Sequence, residues 1–375
     1  TAQKDTLKKD GYYFLYYNQQ LIMNPKSLLR KITVKPGQLY TVKEKQATYN
    51  RLSQLTYFKF IDIKYFNTNT TGDNEGSIDC YIQLTPGDQR KVSLEMELTL
   101  TDENEEFATT GTSNSRYYGI APSLAYQNTN FLRKGISWNV NLRGAYELSD
   151  KWFQNRLNEN IYEFGGNTSL NYYGPLLTRN LFKEPLAART STSIDASYLL
   201  EGNINYQRNT ISSSYTRRFE NRLSNIYYTP FSINLVNTQI IRDTFRKRIN
   251  EFDNPFIQSI FDRYMIPSGK LTWVYNDEPI KGDQHWLIRW NLEHSGNLLY
   301  FFKDWVIPEF QRSILNTSPP QKRFSENFEY GIGGLGFYTY TKTQADFRYY
   351  IPGKGEKELV LRFAPGIGFS YGNNT

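Results

Sequence analysis

The sequence has almost none of the residues that hold metals or carry out catalysis. Its 375 residues include one cysteine, Cys80, and two histidines, His285 and His294. One cysteine excludes an internal disulfide framework and a cysteine-based zinc site, and two histidines are too few for a histidine metal cluster. Neither histidine belongs to a recognisable serine–histidine–acid arrangement. The sequence therefore predicts a protein that is not an enzyme and has no catalytic, cofactor-binding or metal-binding residues.

Long apolar runs and long tracts of one charge are missing as well. The longest apolar stretches, YYFLYY at 12–17 and LLYFF at 298–302, fall far short of the roughly 18 residues that a membrane-spanning helix needs. This excludes a helical membrane protein but not a β-barrel, whose strands alternate apolar and polar residues. The net charge of +7 is spread along the chain, so a solvated basic surface is expected and no nucleic-acid partner is predicted.

Aromatic residues are abundant in this polar chain. Tyr, Phe and Trp make up 16% of the residues, although the mean hydropathy is −0.63. Disordered chains are poor in aromatics, so an ordered protein is expected. From about residue 91 onward, apolar residues recur at every second position, for example in 94–100, 138–142 and 286–292. This period of two predicts about eleven antiparallel strands in residues 91–375.

Three features of these segments favour a transmembrane β-barrel. Most segments span nine to twelve residues, which suits a tilted membrane strand better than an ordinary globular strand. Their polar positions carry charges that a sandwich interior could not bury cheaply, including Arg143, Arg289, Glu293 and Arg362. Aromatic clusters such as NYYG, IYYTPF and FRYYIP lie near strand ends, as in a membrane girdle. A soluble, aromatic-rich β-sandwich that binds carbohydrate is the alternative from a different class.

Residues 1–90 have a different pattern, which predicts a small α+β domain. Thr41 and Glu44 form a capping box that opens a helix running to about Leu55, and Pro25 suits the first turn of a shorter helix. Two strands with alternating apolar and polar residues follow. This alternation predicts that the Cys80 side chain points into the core. The segment LKKDGYYF at 7–14 has the pattern of a helix end running into a strand. Residues 1 to about 15 could therefore belong to a preceding domain.

The basic segment TQIIRDTFRKRINEF (238–252) is predicted to be a helix inside a long loop, and FIQSIFDRY (256–264) a second one. Such a charged helix is expected simply to face solvent.

Specific segments resemble the BamA/TamA superfamily of outer-membrane assembly proteins. KPGQLY (35–40), TYNRLSQL (48–55), FKFIDIKYF (58–66) and IDCYIQLTPG (78–87) are similar to the last POTRA domain of that family. The segment VSLEMELTL (92–100) and the two that span 117–147 resemble the opening barrel strands, particularly those of the TamL-like branch.

The resemblance implies a POTRA domain in the periplasm, followed by a barrel of about sixteen strands in a bacterial outer membrane. About eleven of those strands would fall in 91–375. Upstream POTRA domains would precede this chain, and the family's loop motif and last strands would follow Thr375. Such proteins assist the assembly, insertion or transport of other envelope proteins. The implied partners are unfolded outer-membrane or exported clients, outer-membrane lipid, and periplasmic or lipoprotein accessory subunits.

The resemblance also implies two sites, both built on backbone edges. Clients would add a strand to the POTRA edge strand, through Phe58, Phe60, Ile61, Ile63 and Tyr65. The first barrel strand would form one side of a lateral seam, through Leu94, Met96, Leu98 and Leu100. A two-partner secretion-type transporter shares this domain order and is the nearest alternative. A plain porin would leave residues 25–90 without a role.

Overall fold

The computed structural model describes residues 4–17, 21–67, 77–104, 114–149, 160–174, 189–251, 261–278, 284–297, 299, 331–332, 335–353 and 357–371. In chain order the elements are β1 (Lys4–Lys9), β2 (Tyr12–Tyr17), α1 (Pro25–Leu29), α2 (Val42–Ser53), β3 (Phe58–Asn67), β4 (Ile78–Pro86), β5 (Arg90–Asn104), β6 (Asn114–Phe131), β7 (Ile136–Ser149), β8 (Ile161–Tyr172), β9 (Arg189–Gly202), β10 (Tyr206–Glu220), β11 (Ser224–Ile240), α3 (Asp243–Glu251), β12 (Tyr264–Asn276), β13 (His285–Ser295), β14 (Gly331–Ile332), β15 (Leu335–Phe337), β16 (Tyr340–Pro352), β17 (Glu358–Phe363) and β18 (Gly366–Ser370).

Strands β5 to β18 form one large sheet, in which neighbours in sequence are mostly neighbours in space. Its main path runs β5-β6-β7-β8-β9-β10-β11-β12-β13-β16-β17. β18 pairs with the same strand as β17 and continues it after a short break. The predicted fold class is confirmed: the chain is mainly β, and about eleven long strands form an antiparallel meander. None of the helices in the described ranges is both long and apolar enough to cross a membrane.

The strand register gives the large sheet one polar and one apolar face. Cross-strand partners in an antiparallel sheet point to the same side. Leu94, Leu124 and Leu142 are successive partners on the face that we call the apolar face. Lys270, Glu293 and Lys342 are successive partners on the polar face. The sequence alternation therefore persists across the sheet, row by row.

The apolar face is largely uncovered. Leu98 is 78% exposed and Phe363 is 67% exposed. A soluble sandwich would need a second sheet packed about 10 Å from this face. In the described part of the chain, the remaining strands form only two two-stranded sheets, β1-β2 and β3-β4. An apolar face that is exposed across many strands is unusual for a protein in water. This exposure counts against the soluble sandwich.

The helices of the N-terminal α+β unit, residues 4–86, begin where the sequence predicts. Thr41 Oγ1 accepts a hydrogen bond from Glu44 N at 3.2 Å, and this cap starts α2. Pro25 occupies the first turn of α1, and Asn24 caps that helix. The core of the unit contains Met23, Leu28, Leu52, Leu55 and Tyr57.

Two predictions for this unit are wrong. Residues 4–9 form strand β1 rather than a helix end, because Asp10 and Gly11 both adopt positive φ and close a hairpin with β2. Cys80 is exposed rather than buried. It shares a strand face with Ile82 and Leu84, but the core packs against those two residues and not against Cys80.

The helix predicted in the basic loop segment is confirmed as α3, although it is shorter than the segment. Phe245 and buried Ile249 pack inward. The second predicted helix lies almost entirely outside the described residues.

The two-faced sheet generates a test on neighbouring residues of β7. Leu142 lies on the apolar face, and Asn141 lies on the polar face. In lipid, Leu142→Arg should lower the free energy of unfolding by roughly 2–4 kcal/mol, because a charge would face hydrocarbon. Asn141→Arg should change it by less than about 1 kcal/mol, the usual effect of a substitution at a solvated position. Denaturant unfolding in phospholipid vesicles measures both, and equal effects would contradict the assignment of faces.

Candidate functional site

Strand β3 offers an open backbone edge. In the described residues it pairs only with β4, from Phe58 opposite Pro86 to Asn67 opposite Ile78. The N–H and C=O groups along its other edge have no strand partner there. An extended peptide could therefore add to the sheet at this edge through main-chain hydrogen bonds.

The five residues predicted on this strand are divided between its two faces. Phe58 and Ile61 pack against the core of the α+β unit, and Ile63 is only 7% exposed. Tyr65 contacts Tyr40 edge to face at 4.7 Å between ring centroids, and burial raises the pKa of its hydroxyl. Phe60 alone faces outward, with 63% of its surface exposed. A ligand at this edge would meet the side chain of Phe60 but not those of the other four.

Two exposed aromatics that the sequence reasoning missed share the open face with Phe60. Phe66 and Tyr81 contact each other edge to face at 5.3 Å. Lys64, the cross-strand partner of Tyr81, forms an ion pair with Asp62 at 2.9 Å on the same face. Side chains at every second position of a strand point to the same face, and this spacing places Phe66 on the face of Phe60. The sequence pattern could therefore have identified Phe66. We call Phe60, Phe66 and Tyr81 the aromatic face.

Strand β5 is the second open edge. It pairs with β6 from Arg90 to Asn104 and has no partner on its other side in the described residues. The structure brings the four residues of the predicted seam together on the apolar face, and all four are highly exposed: Leu94, Met96, Leu98 and Leu100.

The α+β unit is attached to the large sheet by hydrogen bonds to the turn between β6 and β7. We call residues 129–135 the docking turn. Asn24 N donates to Arg133 O at 2.8 Å, and Asn130 Nδ2 donates to Ile22 O at 3.0 Å. The Arg133 guanidinium donates to Leu21 O. Asn130 is only 1% exposed, and its Oδ1 accepts from Gly135 N at 3.0 Å. One side chain therefore holds the turn and the unit together.

The docking turn also packs into the core of the unit. Gly135 has φ +68°, and a Cβ at this position would lie 3.0 Å from Leu55 Cδ2 and 3.0 Å from Met23 Cε. Tyr57 is buried in the same core. Burial raises the pKa of Tyr57, and a hydrogen bond with Asn130 acts in the opposite direction. Met23, Leu55 and Tyr57 are far from the docking turn in sequence, so no local sequence pattern indicates these contacts.

A second contact forms at the end of β8. Lys31 Nζ lies over the Tyr172 ring, 5.1 Å from its centroid, and Tyr173 packs against the core of the unit. The linker from β4 to β5 is also held, since Gly87 N donates to Tyr57 O at 2.7 Å and Thr129 N donates to Gln89 O at 2.9 Å. The unit is thus fixed at the end of the sheet where β5 begins.

No cluster of three or more histidine, cysteine or acidic residues suited to a metal occurs among the residues that the structure describes.

No protein-family model matches this chain, and no curated protein sequence matches it. Among solved structures, CdiB from Acinetobacter baumannii is similar at 10% identity and a TM-score of 0.35, covering 97% of this chain and 71% of that chain. CdiB from Escherichia coli is similar at 10% identity and a TM-score of 0.41, covering 98% and 58%. BamA from Haemophilus ducreyi lacking POTRA domains 1–3 is similar at 7% identity and a TM-score of 0.26, covering 99% and 90%. All three are distant likenesses of fold.

The packing of Gly135 can be tested against a glycine with similar backbone geometry. Gly135→Ala and Gly37→Ala should each cost about 1–2 kcal/mol for a side chain at positive φ. Only the Gly135 variant should lose roughly 1–3 kcal/mol more by overpacking against Met23 and Leu55, because a Cβ at Gly37 would meet nothing within 4 Å.

Hydrogen exchange of residues 21–57 measures the attachment. Faster exchange in Gly135→Ala than in Gly37→Ala is expected. Equal rates would mean that the docking turn does not hold the unit.

Proposed function

We propose that this chain is part of a protein that assembles, inserts or translocates other proteins in a bacterial outer membrane. The proposal rests on one combination of features. A large sheet with an exposed apolar face is attached to an α+β unit, and both the sheet and the unit have an open strand edge. The resemblance of residues 25–147 to the BamA/TamA superfamily supports the same role.

The membrane location rests on the two faces of the large sheet. Lipid would cover the exposed apolar face, and the polar face would line a water-filled lumen in a barrel wall. Antiparallel strands alternate between two ends, and the docking turn lies at the end that carries the α+β unit. The connections at that end are mostly short, such as 221–223 and 353–357, with 173–188 as the long exception. Those at the other end are mostly longer, such as 241–263 and 296–339, with 203–205 as the short exception. Short turns face the periplasm in bacterial barrels, so the unit would lie in the periplasm as a POTRA domain.

Unfolded clients would first bind along β3. Main-chain hydrogen bonds to its open edge would provide affinity that tolerates different client sequences. The aromatic face would add contacts with the alternating apolar side chains of a nascent strand. The ion pair of Asp62 and Lys64 adds charged groups to the same face.

The client strand would then pass to β5. In the hydrocarbon core, each unpaired backbone N–H or C=O costs several kcal/mol, so an open edge there pairs strongly with any strand that reaches it. The competing partner would be a terminal strand of the barrel itself. A client hairpin that replaced that strand would enter the bilayer with its backbone already hydrogen-bonded.

Crosslinking tests the first step. A photoactivatable phenylalanine at position 60 should capture unfolded outer-membrane clients, because the side chain projects beside the open edge of β3. The matched control is the same probe in place of Tyr49, an aromatic on α2 that is also exposed. Capture at 60 should exceed capture at 49 by about tenfold, as expected for a defined binding surface. Equal capture would rule out the aromatic face as the binding surface.

Disulfide trapping tests the second step separately. In a Cys80→Ser background, a cysteine replacing Met96 on β5 should form disulfides with cysteines in the terminal strand of a client during assembly. A cysteine replacing Leu142 is the control, because β7 is paired with β6 and β8 on its two sides. Trapping at both positions, or at neither, would contradict a role for the edge of β5.

A further inference from the structure

The charges on the polar face of the large sheet are segregated. Among the side chains that the structure describes on β5 to β9, carboxylates dominate: Glu95, Glu97, Glu147, Glu163, Asp195 and Glu201, against Lys91 and Arg143. On β12 to β17 cations dominate, and we call the following residues the basic wall: Lys270, Arg289, Lys342, Arg348 and Arg362. Two carboxylates, Glu293 and Asp346, lie among them, and a third, Glu358, lies at the turn where β17 begins.

The first carboxylate of the basic wall is shared by two lysines. Lys342 Nζ lies 3.0 Å from Glu293 Oε2, and Lys270 Nζ lies 3.5 Å from Oε1. Tyr340 also donates its hydroxyl to Oε1 at 2.7 Å. The Glu293 side chain is largely buried, whereas both lysines are about half exposed. One positive charge in this row is therefore left over and is accessible.

The second carboxylate is shared by two arginines. Arg348 binds Asp346 with two hydrogen bonds of 3.2 and 2.8 Å, and Arg362 binds it with two of 3.1 and 3.0 Å. Arg348 and Arg362 are direct cross-strand partners, an arrangement that is unfavourable for like charges. Asp346 offsets only one of the two charges. These paired bonds are the planar fork geometry by which arginine recognises carboxylates.

Arg289 lies between these two groups. It is exposed and makes no ion pair with any residue that the structure describes. Its register partner is Asp346, which already binds two arginines. Beside it, a shallow depression of about 180 Å³ is lined by Lys270, Thr272, Asn291, Leu292, Glu293, Lys342 and Gln344. On β18, Gly366 and Gly368 are the partners of Gln344 and Lys342, so β18 itself places no side chain beside these two residues of the wall.

We propose that the basic wall binds an acidic segment of polypeptide on the polar face. The charges that Glu293 and Asp346 leave unmatched, together with Arg289, provide three sites for carboxylates on one continuous surface. The basic wall already binds the carboxylates of Glu293 and Asp346, and two arginines bind Asp346 with paired hydrogen bonds. An acidic peptide therefore suits it better than a phosphate-rich polymer. The acidic half of the same face would repel such a segment and confine it to this wall. That the segment belongs to a client rests on the proposed function, whereas the binding itself does not.

The test measures binding of fluorescein-labelled hexa-aspartate to the purified protein in detergent at low salt. The double variant Lys270→Gln, Arg289→Gln should weaken binding about tenfold, as expected for the loss of two partly exposed ion pairs. In this variant Glu293 and Asp346 each keep a cationic partner. The matched control, Lys91→Gln with Arg143→Gln, removes the same two residue types from the acidic half and should weaken binding less than about twofold. Arg289→Gln alone breaks no described ion pair and should weaken binding about threefold without affecting folding.

Equal weakening by the two double variants, or no binding by the unmodified protein, would overturn the proposal. Stronger competition by tripolyphosphate than by unlabelled hexa-aspartate at equal charge would overturn the assignment to polypeptide. Capture of clients by the probe at position 60 is a separate measurement. If that capture fails, the proposed function is contradicted, but the binding of hexa-aspartate to the basic wall can still be judged.

Discussion

Strand register is the constraint on which the rest of this structure depends. Because successive side chains on a strand point to opposite faces, a slip of one residue in any pair would turn an entire strand over. Leu142 would then face the polar side, and Arg143 would face the apolar side. The row of Lys270, Glu293 and Lys342 and the contact of Arg362 with Asp346 on the neighbouring strand exist only in the observed register. These ion pairs in turn oppose slippage, since a shifted strand would leave charges unpaired.

The docking turn links the two open edges mechanically. Asn130 bonds to the backbone of the α+β unit and to its own turn, and Gly135 leaves space for Met23 and Leu55. The linker between β4 and β5 is held by backbone hydrogen bonds on both sides of Asp88. Because these contacts fix the unit on the first strands of the sheet, β3 and β5 keep a defined separation.

Much of this fold could be predicted from local signals, and the predictions failed where contacts are distant in sequence. Thr41, Glu44 and Pro25 act within one helical turn, so both helix starts were predictable, and alternation was enough to assign the faces of the sheet. The exposure of Cys80 depends on where the core ends, which no local pattern records. Asn130 is an ordinary turn residue in the sequence, and its partner Ile22 lies 108 positions away. Of the candidate sites, β5 was predictable as a face, whereas β3 was predictable only as a strand, because most of its apolar residues serve the core.

The irregularity at the start of β3 has a consequence for contacts between two copies of the protein. The register shifts between Phe58 and Phe60, and such bulges twist a strand edge away from flat pairing. Lys59, Asp62 and Lys64 add charges that two copies meeting edge to edge would have to bring together, which is how natural edge strands avoid joining one another. A folded copy is rigid and cannot adapt to the bulge, whereas an unfolded chain can. The same edge is therefore poorly suited to pairing with a second folded copy, although its backbone groups stay open to a flexible chain.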